Sequence, residues 1–82
     1  MTSRIEKEKV NMADEEGKVY RKTEIVGTSS VGFDDGAKQA IARAMKTLRN
    51  VMWFEVKEQR GRIESDGSIE YQTTVEIGFL LE

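Results

Sequence analysis

The sequence contains a single tryptophan, Trp53, in a segment where apolar and charged residues alternate. Successive side chains of a β-strand point to opposite faces, so Phe54 and Val56 are predicted to face the core. Trp53 then points away from the core, together with Glu55 and Lys57. A tryptophan on a polar strand face either fills an interface between subunits or offers its ring as a stacking platform for a planar ligand.

Gln72 is predicted to point outward from the next strand of the same hairpin, close to Trp53. Its amide supplies donors and an acceptor side by side, which suits a planar heterocycle with adjacent N–H and C=O groups. The alternative is an ordinary solvated glutamine. Together, Gln72 and Trp53 suggest a site for a planar ligand with polar groups along one edge.

The composition excludes several kinds of chemistry. There is no histidine and no cysteine, which removes the commonest general base, the commonest metal ligands and all disulfides. A carboxylate site for a hard cation remains open, but no loop has the ligand spacing of a calcium-binding hand. The formal net charge of −2, with both signs interspersed, disfavours nucleic acid as a partner.

The length points to self-association. A chain of 82 residues forms one domain and buries only about 60% of the surface that it exposes when unfolded. Small domains compensate with disulfides, a metal or oligomerisation, and only oligomerisation is left here. No apolar run approaches the ~20 residues of a membrane span, and no signal-peptide hydrophobic region is present. We therefore expect a cytoplasmic protein.

The first half of the chain is predicted to hold an extension, a strand and a helix. Residues 1–17 are charged and lack a sustained apolar period, which is typical of a flexible extension, and Met12 is an alternative start. A strand is predicted over 18–28 and a helix of about 17 residues after Gly32 as N-cap. The helix is expected to close near Arg49 and Asn50. Its apolar stripe consists of Phe33, Ala37, Ala40, Ile41, Ala44 and Leu48.

The second half is predicted to form a β-hairpin. Strands over 51–62 and 68–81 flank Asp66-Gly67, a turn signal because glycine accepts positive φ. The order strand, helix, strand, strand predicts an α+β fold in which a three-stranded antiparallel sheet wraps around one helix. The open edges of such a sheet need cover, which again indicates self-association.

Six short segments, in order and spacing, resemble the dodecin family. They are EIVGTS (24–29), KTLRN (46–50), WFEV (53–56), EQRG (58–61), EYQ (70–72) and GF (78–79). The resemblance implies that twelve subunits form a hollow shell and that pairs of flavins, FMN or riboflavin, lie between tryptophans at two-fold axes. By this resemblance Trp53 stacks on the flavin, Gln72 hydrogen-bonds to its ring, and Arg60 lies near its phosphate. Strict alternation puts Arg60 on the opposite face from Trp53, so this role requires a bulge, a bend or delivery from another subunit.

Bacterial members of the family also resemble coenzyme A binders. The matching basic and aromatic positions are Lys18, Tyr20, Arg43 and Arg49. The alternative is a solvated helix face and strand end. Gly32 departs from the family, whose members usually carry a serine before the helix, at a cost of only a few tenths of a kcal/mol in capping.

The leading hypothesis is a flavin-binding storage or buffering protein that quenches and sequesters flavin without turnover. A flavin-dependent redox enzyme is a second hypothesis, but a ligand sealed between two indoles leaves little room for a substrate. A third is a mainly structural or scavenging shell that binds coenzyme A as well as flavin, or leaves its flavin site empty.

Overall fold

The computed structural model describes residues 17–82, which form one sheet and one helix. The elements are β1 (Tyr20–Ser29), α1 (Phe33–Thr47), β2 (Val51–Ile63) and β3 (Ile69–Leu80). The sheet order is β1-β3-β2, and both strand pairs are antiparallel. The predicted α+β fold is therefore confirmed. The predicted extension over 1–17 lies, except for Gly17, outside the described residues.

The core lies between α1 and the central strand β3. Small side chains on the helix let it approach the sheet closely, and the alternation of β3 turns every second residue toward it. The buried apolar residues are Ala37, Ala40, Ala44, Val75 and Ile77. Thr73 is also fully buried, and its Oγ1 donates a hydrogen bond to the carbonyl oxygen of Phe33 at 2.8 Å. A core of this size stabilises a single subunit weakly.

The start of α1 is held by Ser29 rather than by its cap residue. Gly32 is the N-cap, as predicted, and provides no side-chain hydrogen bond. The Ser29 hydroxyl accepts from the backbone N–H of Val31 at 2.8 Å and of Gly32 at 3.3 Å, and it donates to Asp35 at 2.7 Å. The Ser29 hydroxyl thus ties the loop before the helix to Asp35 in its first turn, and it does not cap the N–H groups of that turn.

The end of α1 comes about two residues earlier than predicted. The helix stops at Thr47, and Leu48 is already extended, with its N–H bonded to the Ala44 carbonyl at 2.8 Å. Leu48 packs against the core, and the chain must then reverse to pair with β3. Asn50 makes this reversal in the left-handed region (φ 60°), and its carbonyl accepts from the Leu80 N–H at 3.0 Å.

The hairpin turn is confirmed at Asp66-Gly67. Gly67 has φ 91°, a conformation that L-residues with side chains rarely adopt. Asp66 Oδ1 accepts from the backbone N–H of Ser68 at 2.9 Å and from its hydroxyl at 2.7 Å. These two hydrogen bonds, the backbone one first, lower the pKa of Asp66 below its ordinary value.

No residue of β2 is buried. Phe54 and Val56 lie opposite Ile77 and Val75, so they are on the helix side of the sheet as predicted. They are nevertheless 48% and 45% exposed, because the helix covers β1 and β3, and Val51 is the residue of β2 that packs against the core. Exposed apolar side chains along one strand are typical of a surface that meets a partner. Within residues 17–82, the helix is too short and too polar to cross a membrane.

Candidate functional site

Trp53 lies over the central strand, on the face of the sheet that points away from α1; we call this the outer face. Its register partner is Gly78 of β3. A Cβ atom built on Gly78 would lie 2.7 Å from Cδ2 of the indole, and nearer still to Cε2 and Cζ2. One side of the indole is thus turned to the backbone of β3. The residue remains 41% exposed, so the other side is open.

Tyr20 closes one end of this platform. It lies opposite Leu80 on the outer face, and its ring centroid is 4.9 Å from that of Trp53 at an interplanar angle of 63°. Edge-to-face contacts of this kind stabilise aromatic pairs beyond the area they cover. The contact restricts the indole without covering its open side.

Arg60 reaches the outer face because β2 contains bulges. Register shifts occur between Val51 and Trp53 and again between Val56 and Glu58. The second shift inserts Lys57 as an extra residue and reverses the alternation beyond it. Arg60 therefore lies directly opposite Gln72, on the same face as Trp53. The bulge required by the predicted role of Arg60 is present.

The Gln72 amide is fixed by its two neighbours on the outer face. Arg60 Nε donates to Gln72 Oε1 at 2.8 Å, and Gln72 Nε2 donates to Glu70 Oε1 at 3.0 Å. These bonds define which end of the amide is the oxygen. One N–H of Gln72 and a lone pair of its oxygen stay available, and the Nη groups of Arg60 have no hydrogen-bond partner within residues 17–82.

Within one chain, the structure does not bring Gln72 close to Trp53. Trp53 is paired with Gly78, and Gln72 lies six residues before Gly78 on β3. At about 3.4 Å per residue the two positions are about 20 Å apart, which exceeds the length of a three-ring heterocycle. The adjacency expected from the hairpin fails because the sequence does not fix which residues of the two strands are opposite. A ligand held by both residues needs Gln72 from a second copy.

A charged cluster separates Trp53 from Gln72. Glu76 lies opposite Glu24 on one side and Glu55 on the other. Its carboxylate is 3.1 Å from Lys22 Nζ and 3.7 Å from Lys57 Nζ. The hydrogen bond from Lys22 is the largest cause that lowers the pKa of Glu76 below its ordinary value of 4.5, although desolvation acts in the opposite direction. The two ammonium groups compensate a row of three carboxylates that would otherwise repel one another.

Of the four residues predicted for coenzyme A, Lys18, Tyr20 and Arg49 lie near the C-terminal end of β3, whereas Arg43 lies elsewhere. Tyr20 is part of the Trp53 platform. Arg49 forms an ion pair with Glu82 at 3.3 Å, and Lys18 is exposed just before β1. Arg43 lines a separate open depression between α1 and β1, beside Val26, Gly27, Thr28 and Gln39. These positions are those within one subunit. A role for the four residues between subunits therefore stays a prediction.

From the sequence, no role in the site was assigned to Gly78 or Glu70. Gly78 could have been found, because a glycine inside an alternating strand often marks a close approach by another group. Glu70 gave no such signal, since a glutamate on the outer face of a strand is ordinary. No group of three or more carboxylates in the described residues is arranged to hold a metal ion.

The comparisons with known proteins agree on one family. The sequence model of the Dodecin family matches residues 19–82. A dodecin from Thermus thermophilus is 56% identical over 66 residues, which cover 80% of this chain and 96% of the relative. A crystal structure of a Thermus thermophilus protein superimposes with a TM-score of 0.74 at 56% identity, covering 80% of this chain and 97% of that one.

Two further relatives match at lower sequence identity. The dodecin from Streptomyces davaonensis has a TM-score of 0.75 at 42% identity, covering 82% of this chain and 98% of its own. A calcium dodecin from Mycobacterium tuberculosis is 31% identical over 61 residues, 74% of this chain and 86% of the relative. Solved variants of the Thermus dodecin carry a phenylalanine in place of a tryptophan, or an alanine in place of one of two arginines.

Proposed function

This chain belongs to the dodecin family, and we propose that it is the subunit of a dodecameric shell that stores flavin. In the proposed site, a pair of flavins, FMN or riboflavin, stacks between the Trp53 rings of two subunits related by two-fold symmetry. Gln72 and Arg60 provide the polar contacts. The protein binds and shields the flavin and does not turn it over.

The observation that carries the proposal is the half-exposed indole on the outer face. Trp53 has one side against Gly78 and the other open, with Tyr20 beside it. An aromatic ring held in this way stacks on any planar π-system, at roughly 1–3 kcal/mol per platform by analogy with bases on aromatic side chains. The isoalloxazine ring supplies the light absorption and redox chemistry of a flavin, and the open indole face fits its flat surface.

The distance between Trp53 and Gln72 supports a site built from two subunits. A ring stacked on Trp53 of one copy lies beyond the reach of Gln72 in the same copy, about 20 Å along β3. In a two-fold interface the same surface of each subunit meets its counterpart, so each copy contributes one tryptophan and one glutamine. Two identical half-sites then hold two flavins.

Polar recognition is assigned to the Arg60–Gln72 pair. The remaining N–H and oxygen lone pair of Gln72 complement the carbonyl and imide groups along one edge of the flavin ring. The Nη groups of Arg60 are available to donate hydrogen bonds to an anion such as the FMN phosphate. The substituted tryptophan of the Thermus dodecin and the nearer of its substituted arginines are seven positions apart, as are Trp53 and Arg60.

Assembly is supported by the surface that one subunit leaves uncovered. Phe54 and Val56 lie on the helix side of the sheet with no helix above them, and Met52 and Ile63 are 57% and 78% exposed. The core of the subunit is too small to compensate for that exposure. Burial of β2 between copies removes this apolar surface from water, which we expect to drive the oligomer.

Storage fits the chemistry of the chain better than turnover. The absence of histidine and cysteine leaves no imidazole for proton transfer and no thiol for nucleophilic attack beside the ring. Stacking against an electron-rich indole quenches the excited flavin and limits its photochemistry. Coenzyme A binding through Lys18, Tyr20, Arg43 and Arg49 stays a prediction, because Arg43 lies beside Val26–Thr28 of β1, apart from the other three.

The test is the colour of the protein as it is purified. We expect a yellow oligomer with a visible flavin absorption band, and a flavin identified by mass after acid release. Trp53→Ala protein prepared in the same way should be nearly colourless. A colourless native oligomer that also fails to take up added riboflavin or FMN would overturn the proposal and favour a mainly structural shell.

A further inference from the structure

We propose that Gly78 is a positioning residue for Trp53: its missing side chain is the space that sets the orientation of the indole. For its effect on flavin, this inference rests on the proposed function. Gly78 lies in the central strand β3, two residues before its end at Leu80, between Lys22 of β1 and Trp53 of β2. It is buried, and what covers its outer face is the indole itself.

The backbone does not explain a glycine at this position. Among the glycines of residues 17–82, Gly67 is the one with positive φ, so Gly78 has a conformation open to any L-residue. A glycine inside a strand is unfavourable, because it loses more chain entropy on folding and packs less surface than any other residue. The central strand therefore carries a destabilising residue for a reason other than chain geometry.

Space is that reason. A Cβ at position 78 would approach three adjacent atoms of the indole to 2.7 Å or less, whereas unbonded carbon atoms are most stable at about 3.5–4.0 Å. The strand cannot retreat, since both of its edges are hydrogen-bonded. The indole must then rotate away from the sheet and lose its edge-to-face contact with Tyr20.

A displaced indole no longer presents the same open face. In the present arrangement, the backbone of β3 supports one side of the ring and Tyr20 limits its rotation. A ligand sandwiched between two such rings requires both of them at a fixed height and tilt, since each misplaced wall opens a gap. Gly78 thus acts on the ligand only through Trp53.

The experiment compares Gly78→Ala with Gly61→Ala as a matched control. Gly61 also belongs to a strand. A Cβ there would lie 3.4 Å from Ile69 Cγ2 and 3.7 Å from the backbone carbonyl oxygen of Glu70, which are ordinary contacts. For Gly78→Ala we expect a changed near-ultraviolet circular dichroism spectrum of the ligand-free protein and a riboflavin complex weaker by roughly threefold or more. The oligomer mass should be unchanged. Gly61→Ala should leave the spectrum and the affinity unaltered.

The effect of Gly78→Ala on the thermal midpoint, measured with and without Trp53, separates a positioning role from a general structural role. In the native background Gly78→Ala should lower the thermal midpoint, because the indole loses its packing against the backbone of β3. In a Trp53→Ala background the same change should leave the midpoint unchanged or raise it, because alanine is then simply a better strand residue. Lower midpoints in both backgrounds would overturn the proposal, as would a native spectrum and affinity in Gly78→Ala.

Two further outcomes are decisive. If Gly78→Ala does not assemble, assembly of the Trp53→Ala/Gly78→Ala double variant supports a clash with the indole, and its failure overturns the proposal. If the native protein binds no flavin, the proposed function fails, but the ligand-free spectra and the two thermal midpoints still decide whether Gly78 positions Trp53.

Discussion

Replacing Trp53 by alanine tests the stacking role most sharply. Each aromatic platform is worth roughly 1–3 kcal/mol to a stacked ring. Two-fold symmetry makes one substitution remove both walls of the sandwich. Each flavin stacks on one Trp53 ring, so the expected loss is about 1–3 kcal/mol per flavin. That corresponds to a dissociation constant between ~5-fold and ~150-fold higher for each flavin.

The same substitution has a folding cost that must be separated from the binding cost. A fully covered aromatic side chain removes roughly 150–250 Å² from water. Trp53 is 41% exposed, so about 90–150 Å² is covered, which is worth about 2–4 kcal/mol at ~25 cal/mol per Å². Trp53→Phe is the matched variant, since it keeps a smaller ring over Gly78 and loses less of both contributions.

The assay is a fluorescence titration of riboflavin with each protein, accompanied by light scattering at the same concentration. Free flavin is bright and the stacked flavin is expected to be dark. Affinity should decrease from the native protein to Trp53→Phe and then to Trp53→Ala, while the oligomer mass stays constant. Full quenching with native affinity in Trp53→Ala would refute the stacking role. Monomers in place of the oligomer would show that Trp53 is an interface plug.

The remaining predictions concern the polar residues of the outer face. Gln72→Ala should weaken flavin binding roughly three- to tenfold, the worth of a neutral hydrogen bond of about 0.5–1.5 kcal/mol, and an unchanged affinity for every ring-modified flavin in titrations would make it a surface residue. Arg60→Ala should weaken FMN more than riboflavin in parallel calorimetric titrations, and equal losses would limit Arg60 to holding the Gln72 amide. Because the pKa of Glu76 is lowered in the folded protein, its ion pairs with Lys22 and Lys57 stabilise the fold above pH 4.5 and are lost as the pH falls through the lower, folded-state value. Glu76→Gln should therefore flatten the acid limb of stability measured by urea unfolding at several pH values, and an acid limb identical to the native one would contradict this.

The fold was largely predictable because the local signals agree with one another. The periodicity of the helix stripe, the Asp66-Gly67 turn and the alternation of β3 each point to the same α+β arrangement. The ends of the elements differ from prediction by one or two residues. The helix end at Thr47 is set by the need of Leu48 to pack against the core, which is a tertiary demand.

The site was predicted less completely, because the pattern of apolar and polar residues does not determine the register of the strands or the positions of bulges. The outward position of Trp53 followed from parity, and the register confirms it. The inserted Lys57 reverses that parity, so strict alternation placed Arg60 on the wrong face of the strand. The separation of Trp53 from Gln72 likewise depends on which residues of the hairpin are opposite.

A crystal structure of the oligomer with bound riboflavin would show directly which subunits provide the tryptophan and the glutamine to each flavin. We predict two riboflavin molecules between two Trp53 rings at each two-fold axis, with each isoalloxazine edge hydrogen-bonded to a Gln72 side chain. That Gln72 should belong to a different subunit from the Trp53 on which the same flavin stacks. Riboflavin bound away from Trp53, or a stacked ring contacting Trp53 and Gln72 of one subunit, would contradict the account.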